Sequence, residues 1–93
     1  MSKSSGIIGV KIKLMPSSPS VNLEEIKSEA KKIVKEGGGY NREYCEEPIA
    51  FGLKAVIAFF EWPEDSALEE LEEKFRNVEN VSSINIIDMR KIA

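Results

Sequence analysis

The sequence predicts an α+β fold in which two helices pack on one face of a four-stranded antiparallel sheet. Three observations support this. The spacing of the apolar residues predicts six elements in the order strand, helix, strand, strand, helix, strand. The chain has 93 residues, which is enough for one core between two layers. The third predicted strand is apolar on both faces, as expected for a strand in the centre of a sheet.

The first strand is predicted over residues 6–15, where isoleucine, valine and leucine alternate with glycine, lysine and methionine. A Pro-Ser-Ser-Pro-Ser segment then interrupts the pattern. Asn22 and Glu25 have the spacing of a capping box, so the first helix is expected to begin near Leu23. Its lysines gather toward the carboxyl end, where the helix dipole favours them, and the glycines at 37–39 end it.

The second strand is predicted over residues 40–47, and its polar composition indicates an edge position. Simple alternation places Tyr40, Arg42, Tyr44 and Glu46 on one side of it. The third strand is predicted over residues 53–60, which are apolar except for a single lysine. A Trp-Pro pair follows and is expected to close this strand.

The second helix is predicted from Ser66 and Glu69, which again have capping-box spacing. Leucine, phenylalanine and valine residues then recur at helical spacing between glutamates. A last strand is predicted over residues 81–89. For so short a chain this order of elements is best satisfied by the ferredoxin-like βαββαβ sandwich, with the first and third strands in the centre.

Composition limits the classes of function. Residues 1–5 are expected to be a flexible N-terminus, and residues 6–93 a single domain. A net charge of −3 argues against direct binding of nucleic acid. The chain has no histidine and only one cysteine, so no metal or cofactor site of thiolates or imidazoles is expected. The lone cysteine and the absence of a membrane-length apolar run predict a cytoplasmic protein without membrane contact.

The most informative segment is the turn between the second and third strands. Pro48 restricts the residue before it and donates no ladder hydrogen bond, while Gly52 permits backbone angles denied to other residues. The turn between them is therefore expected to be stiff and to hold Phe51 away from the sheet. A projecting aromatic ring of this kind is typical of a binding anchor.

The fold does not choose among functions, because ferredoxin-like sandwiches carry many of them. RNA recognition on such a sheet requires aromatic residues on the open faces of the central strands, and the first strand offers only Lys11 and Lys13 there. Metal carriage by a cysteine pair is excluded by composition. Acyl-phosphate hydrolysis requires a basic residue in the first loop, which has none.

Four segments resemble one known family. The sequence from Glu47 to Ala55, the terminal Asp88-Met89-Arg90-Lys91-Ile92, the opening run from Val10 to Pro19 and the run from Val81 to Ile84 are similar to archaeal translation elongation factor 1-beta. The similarity covers the chain from about Gly6 onward, in matching order. Members of that family are guanine nucleotide exchange factors of elongation factor 1-alpha, a GTPase, and they have the ferredoxin-like fold.

The resemblance implies an exchange factor that performs no covalent chemistry and binds no cofactor. Phe51, flanked by Ala50 and Gly52, matches the ring that the family inserts into a pocket of the GTPase. Lys91, beside Arg90, matches the lysine that reaches toward the Mg²⁺ and γ-phosphate region. We expect these five residues to bind the partner, the ring and the ammonium to be displayed together, and the free protein to be a monomer.

The residues alone leave two other interpretations open. The first is a ligand-binding regulatory module of ferredoxin-like fold, which would pool the sheets of two copies. The second is a small hydrolase that depends on carboxylates, because the chain lacks the histidine that serves most often as general base near neutral pH.

Overall fold

The computed structural model describes residues 6–92 and contains the six predicted elements in the predicted order. They are β1 (Ile7–Pro16), α1 (Leu23–Glu36), β2 (Tyr40–Pro48), β3 (Lys54–Pro63), α2 (Leu68–Arg76) and β4 (Val81–Lys91). The segment 1–5, predicted to be flexible, lies outside the described residues. The strands form one antiparallel sheet in the order β2-β3-β1-β4. The ferredoxin-like fold is therefore confirmed, and β1 and β3 lie in the centre as predicted.

The core lies between the sheet and the two helices. Alternate residues of the central strands point into it, and Val10, Ile12, Leu14 and Phe60 have no solvent exposure. The ring of Phe60 packs edge-to-face against that of Phe75 on α2, with centroids 6.0 Å apart. The other fully buried members are Ile26, Ala30, Val34, Val56, Ala58 and Phe75. The apolar residues at alternate positions of the strands thus pack against those on one face of each helix, and together they form one apolar layer.

The two helices begin differently, and only the first begins as predicted. The side-chain oxygen of Asn22 accepts a hydrogen bond of 3.0 Å from the backbone N–H of Glu24, so Asn22 caps α1. The predicted cap at Ser66 is wrong, because α2 begins at Leu68 and no side chain caps it. Ser66 belongs to the preceding turn instead, where its N–H bonds to Pro63 and its carbonyl accepts from the Trp62 indole.

The predicted alternation of β2 is also wrong, because the strand contains a bulge. Its register with β3 shifts between Asn41 and Glu43. Tyr44, opposite Ala58, therefore faces the helices and packs against the core. Tyr40, opposite Glu61, faces the open side of the sheet and is 62% exposed. An extra residue in one strand reverses the faces of all residues beyond it, and no residue type in the sequence announces that.

Candidate partner-binding site

The β2–β3 hairpin ends in a tight turn that is closed by two backbone hydrogen bonds. The N–H of Leu53 bonds to the carbonyl of Ala50 at 2.9 Å, and the N–H of Ile49 bonds to the carbonyl of Leu53 at 2.8 Å. These bonds make Phe51 and Gly52 the two central residues of a four-residue turn. The tip of the hairpin is therefore fixed by its own backbone.

Phe51 stands at the corner of this turn in a strained conformation. Its φ is +53°, and that of Gly52 is +81°. Two positive φ angles characterise the turns whose twist fits a β-hairpin, but their first central residue is normally Asn, Asp or Gly. A phenylalanine there carries a backbone cost that its own packing does not offset, since the residue is 96% exposed. The structure thus presents the ring outward, where the sequence predicted it.

Lys91 is the last residue of β4, which is an edge strand. It pairs with Ile8 of β1, and the N–H of Ile92 continues the pairing by bonding to Ile7 at 2.8 Å. The side chain of Lys91 is 64% exposed, and its ammonium lies 3.4 Å from a carboxylate oxygen of Glu64. The neighbouring Arg90 contacts Asp88 instead, at 3.3 Å. Both terminal cations therefore have an acidic partner within the chain.

The structure does not bring Phe51 and Lys91 together. Lys91 lies level with Ile8 and hence with Trp62, whereas the turn that carries Phe51 precedes Lys54. Eight positions of β3 separate Lys54 from Trp62, or roughly 26 Å at about 3.3 Å per residue. The expectation that one surface displays the ring and the ammonium side by side is therefore wrong. Antiparallel pairing of β1 with both neighbours places them at opposite ends of the sheet.

Next to the hairpin, an ion-pair network that the sequence analysis missed joins α1 to β2. The ammonium of Lys27 lies 3.0 Å from a carboxylate oxygen of Glu46 and 3.1 Å from one of Glu24. The hydrogen bond from Lys27 lowers the pKa of Glu46 from its ordinary value, and the same bond raises the pKa of Lys27. The contact of Lys27 with Glu24 follows helical i,i+3 spacing, but the contact with Glu46 depends on the fold. The network holds β2 beside the start of α1.

A groove of about 350 Å³ opens between this network and the hairpin. Its lining includes Gly52 and Lys54 of the hairpin and Pro19 of the first loop. Pro19 is also the nearest neighbour that a side chain at Gly52 would meet, at 3.9 Å. Within residues 6–92, no three acidic or cysteine side chains converge as a metal site requires, and no helix there is long and apolar enough to cross a bilayer.

Comparison with known protein families identifies the family of this chain. The profile of the EF-1 guanine nucleotide exchange domain matches residues 9–92, which include both the hairpin and the end of β4. The chain belongs to the EF-1 guanine nucleotide exchange domain family. This confirms the resemblance found in the sequence. The family consists of nucleotide exchange factors that act in translation elongation, and its members are not enzymes.

Curated relatives of this exchange domain family match along nearly the whole chain. Elongation factor 1-beta of Methanosarcina barkeri is 35% identical over 88 residues, which cover 94% of this chain and 99% of that protein. Elongation factor 1-beta of Pyrococcus abyssi is 40% identical over 89 residues, covering 92% and 94%. That of Methanococcus aeolicus is 36% identical over 85 residues, covering 90% and 96%.

A solved structure with little sequence similarity has the same fold. The C-terminal domain of the MgtC protein from Mycobacterium tuberculosis superposes with a TM-score of 0.72, covering 98% of this chain and 94% of that one. Its sequence identity is 9%. The likeness therefore concerns the fold alone.

Proposed function

We propose that this chain promotes release of GDP from elongation factor 1-alpha during translation elongation in the cytoplasm. Its membership of the EF-1 guanine nucleotide exchange domain family, over residues 9–92, carries the proposal. Residues 6–93 act as one exchange domain, and the free protein is a monomer. Nucleotide exchange breaks no covalent bond, so it requires no general base, and the absence of histidine from the chain is compatible with this function.

Phe51 acts as an aromatic anchor that enters a pocket of the GTPase. Its exposure and the strained turn that carries it support this role, since backbone strain persists where function uses it. Ala50 and Gly52 shape the tip, and neither has a side chain large enough to obstruct the ring. Insertion of a rigidly held ring displaces elements of the partner that contact the nucleotide.

Lys91 acts on the Mg²⁺ and phosphate region of the nucleotide site, with Arg90 as a flanking contact. GTPases hold their nucleotide through backbone donors of the P-loop and through a Mg²⁺ that bridges the phosphates and a hydroxyl group. An ammonium brought into that region repels the cation and competes for its ligands. The exposed position of Lys91 at the end of an edge strand supports this role.

The two residues act on separate parts of the partner. The hairpin turn and Lys91 lie at opposite ends of β3, whose residues Lys54 to Trp62 span roughly 26 Å, so the GTPase must contact both ends of the sheet. The ring and the ammonium are therefore two distant contacts on one rigid body. A thousandfold weakening of GDP binding requires about 4 kcal/mol, which a buried aromatic anchor and a displaced Mg²⁺ supply together.

Release of a fluorescent GDP analogue from elongation factor 1-alpha tests the proposal. The wild type accelerates release, while Phe51→Ala and Lys91→Ala each slow it and leave the circular dichroism spectrum unchanged. Ile49→Ala, in the same hairpin, and Lys35→Ala, an exposed lysine of α1, serve as controls. Release that is as fast with both site variants as with the wild type would refute the assignment of the site.

A further inference from the structure

The acidic partner of Lys91 lies in the turn that leads from β3 to α2. We propose that Glu64 is a positioning residue that holds the Lys91 ammonium in the free protein, so that this ion pair must open before Lys91 acts on the GTPase. The inference rests on the proposed function of Lys91. It adds an electrostatic restraint on exchange that is built into the factor itself.

The Glu64 carboxylate is fixed by the backbone of the first described residue. The backbone N–H of Glu64 bonds to the carbonyl of Gly6 at 2.9 Å, and the N–H of Gly6 donates back to Glu64 Oε1 at 3.2 Å. Lys91 Nζ lies 3.4 Å from this same Oε1. The carboxylate therefore has a set position before the lysine reaches it, and the lysine is the flexible partner.

Charge shows why the pair must separate. The ammonium weakens Mg²⁺ binding through its positive charge, because it repels the cation and competes for the anionic ligands. An ammonium that kept its carboxylate would bring almost no net charge into the site. The carboxylate would also attract the cation that has to leave. An interaction present in the free factor and lost during exchange raises the barrier by its own strength.

The size of this restraint follows from exposure. The side chains of Glu64 and Lys91 are 44% and 64% exposed, and they share a single N···O contact at 3.4 Å. Exposed pairs of this kind are weak and are screened by salt. Opening the pair therefore changes the rate by about two- to fivefold, a modulation of exchange that remains compatible with an active factor.

Within residues 6–92, Lys91 is the one cation that pairs with Glu64. The neighbouring Arg90 is engaged by Asp88 at 3.3 Å, which lies across from Lys11 on the open face of the sheet. Glu64 instead belongs to the turn before α2, and α2 packs on the helix face. The two terminal ion pairs therefore occupy different sides of β4, and loss of Glu64 frees Lys91 alone.

Glu64→Gln tests the inference with little disturbance of the fold. Glutamine keeps a side-chain oxygen that accepts the Gly6 N–H, but it removes the charge that holds Lys91. Asp65→Asn is the matched control, because it makes the same change in net charge one residue away, and Asp65 has no ion pair within residues 6–92. At low ionic strength we expect Glu64→Gln to accelerate GDP release about two- to fivefold and Asp65→Asn to match the wild type.

A second measurement concerns the free factor and needs no GTPase. NMR relaxation of the Lys91 side chain should show greater mobility in Glu64→Gln than in the wild type or in Asp65→Asn. In exchange assays, the advantage of Glu64→Gln should vanish near 1 M salt, where the screening length falls to about 3 Å. It should also vanish in the Lys91→Ala background, since no ammonium is left to release.

The outcomes separate this inference from the proposed function. If Lys91→Ala slows exchange but Glu64→Gln is equal to or slower than the wild type, the restraint is overturned and the role of Lys91 stands. If Glu64→Gln accelerates exchange equally without Lys91, or if Lys91 mobility is unchanged, the restraint is likewise overturned. If Lys91→Ala exchanges like the wild type, the proposed role of Lys91 itself fails.

Discussion

Replacement of Phe51 by glycine should make the protein more stable and less active at the same time. The ring is 96% exposed, so its removal takes nothing from the core of the factor. Its φ of +53° is costly for a residue with a Cβ, by roughly 1–2 kcal/mol, and costs glycine almost nothing. After the extra chain entropy of glycine, a net gain of about 0.5–1 kcal/mol remains. The melting temperature should rise by roughly 2–8 °C.

The expected loss of activity follows from the proposed burial of the Phe51 ring in the partner. Complete burial of a phenylalanine side chain contributes about 1.5–3 kcal/mol to the free energy of binding. For an anchor at the centre of an interface we expect a loss of about 2 kcal/mol when the ring is removed. Release of GDP at subsaturating factor should therefore slow by about 30-fold, at about 1.4 kcal/mol for each factor of ten. Thermal unfolding by calorimetry and release of a labelled GDP, measured on the same preparation, check both parts.

Asn80→Gly is the matched control for Phe51→Gly. Asn80 is the other described residue outside glycine with a positive φ, at +73°, and it has no aromatic ring to lose. Its gain in stability should be smaller, because asparagine tolerates this conformation, and exchange should be unchanged. A loss of stability in Phe51→Gly would show that the ring packs on its own fold. Unchanged exchange would show that it is no anchor.

Three further predictions concern local structure. Asn22→Ala should cost about 1 kcal/mol in chemical denaturation because it removes the cap of α1, and Ser66→Ala should cost little; equal losses would contradict the cap assignment. Lys27 lowers the pKa of Glu46, so the ion pair should stabilise the wild type relative to Glu46→Gln above pH 4.5, and this difference in stability should disappear as the pH falls through the lowered pKa. A difference in stability that is independent of pH would argue against the pair. Gly39→Ala should destabilise by about 1–3 kcal/mol, since its Cβ would meet backbone and side-chain atoms at 2.8 Å; a neutral result in urea would mean that these neighbours move freely.

The sequence was sufficient to predict the fold because its patterns are local. Alternation in β1 and the continuous apolar run of β3 identified the central strands. The failures have physical causes as well. Ser66 has the spacing of a cap but is bound into the preceding turn. The bulge between Asn41 and Glu43 adds a residue to β2 without any sequence signal, so Tyr40 and Tyr44 lie on opposite faces.

The outward position of Phe51 could be predicted from the sequence, but the arrangement of the candidate residues could not. The proline and glycine around Phe51 indicate a projecting ring, and the structure places it outward. The positive φ of Phe51 itself could not be read from a residue type that normally avoids it. The distance between Phe51 and Lys91, and the contact of Lys91 with Glu64, depend on strand register. Register couples residues far apart in the chain, so local patterns do not contain it.

The central claim is that Lys91, at one end of the sheet, acts on the Mg²⁺ site of the GTPase, whereas Phe51, at the other end, acts independently of Mg²⁺. Removal of Mg²⁺ tests this claim most directly. Release of labelled GDP is measured with wild type, Phe51→Ala and Lys91→Ala, first with Mg²⁺ and then with excess chelator. Without the cation, Lys91→Ala should recover to the wild-type rate, because there is nothing left for the ammonium to displace, while Phe51→Ala should remain slow. A defect in Lys91→Ala that is equally large with and without Mg²⁺ would contradict the account.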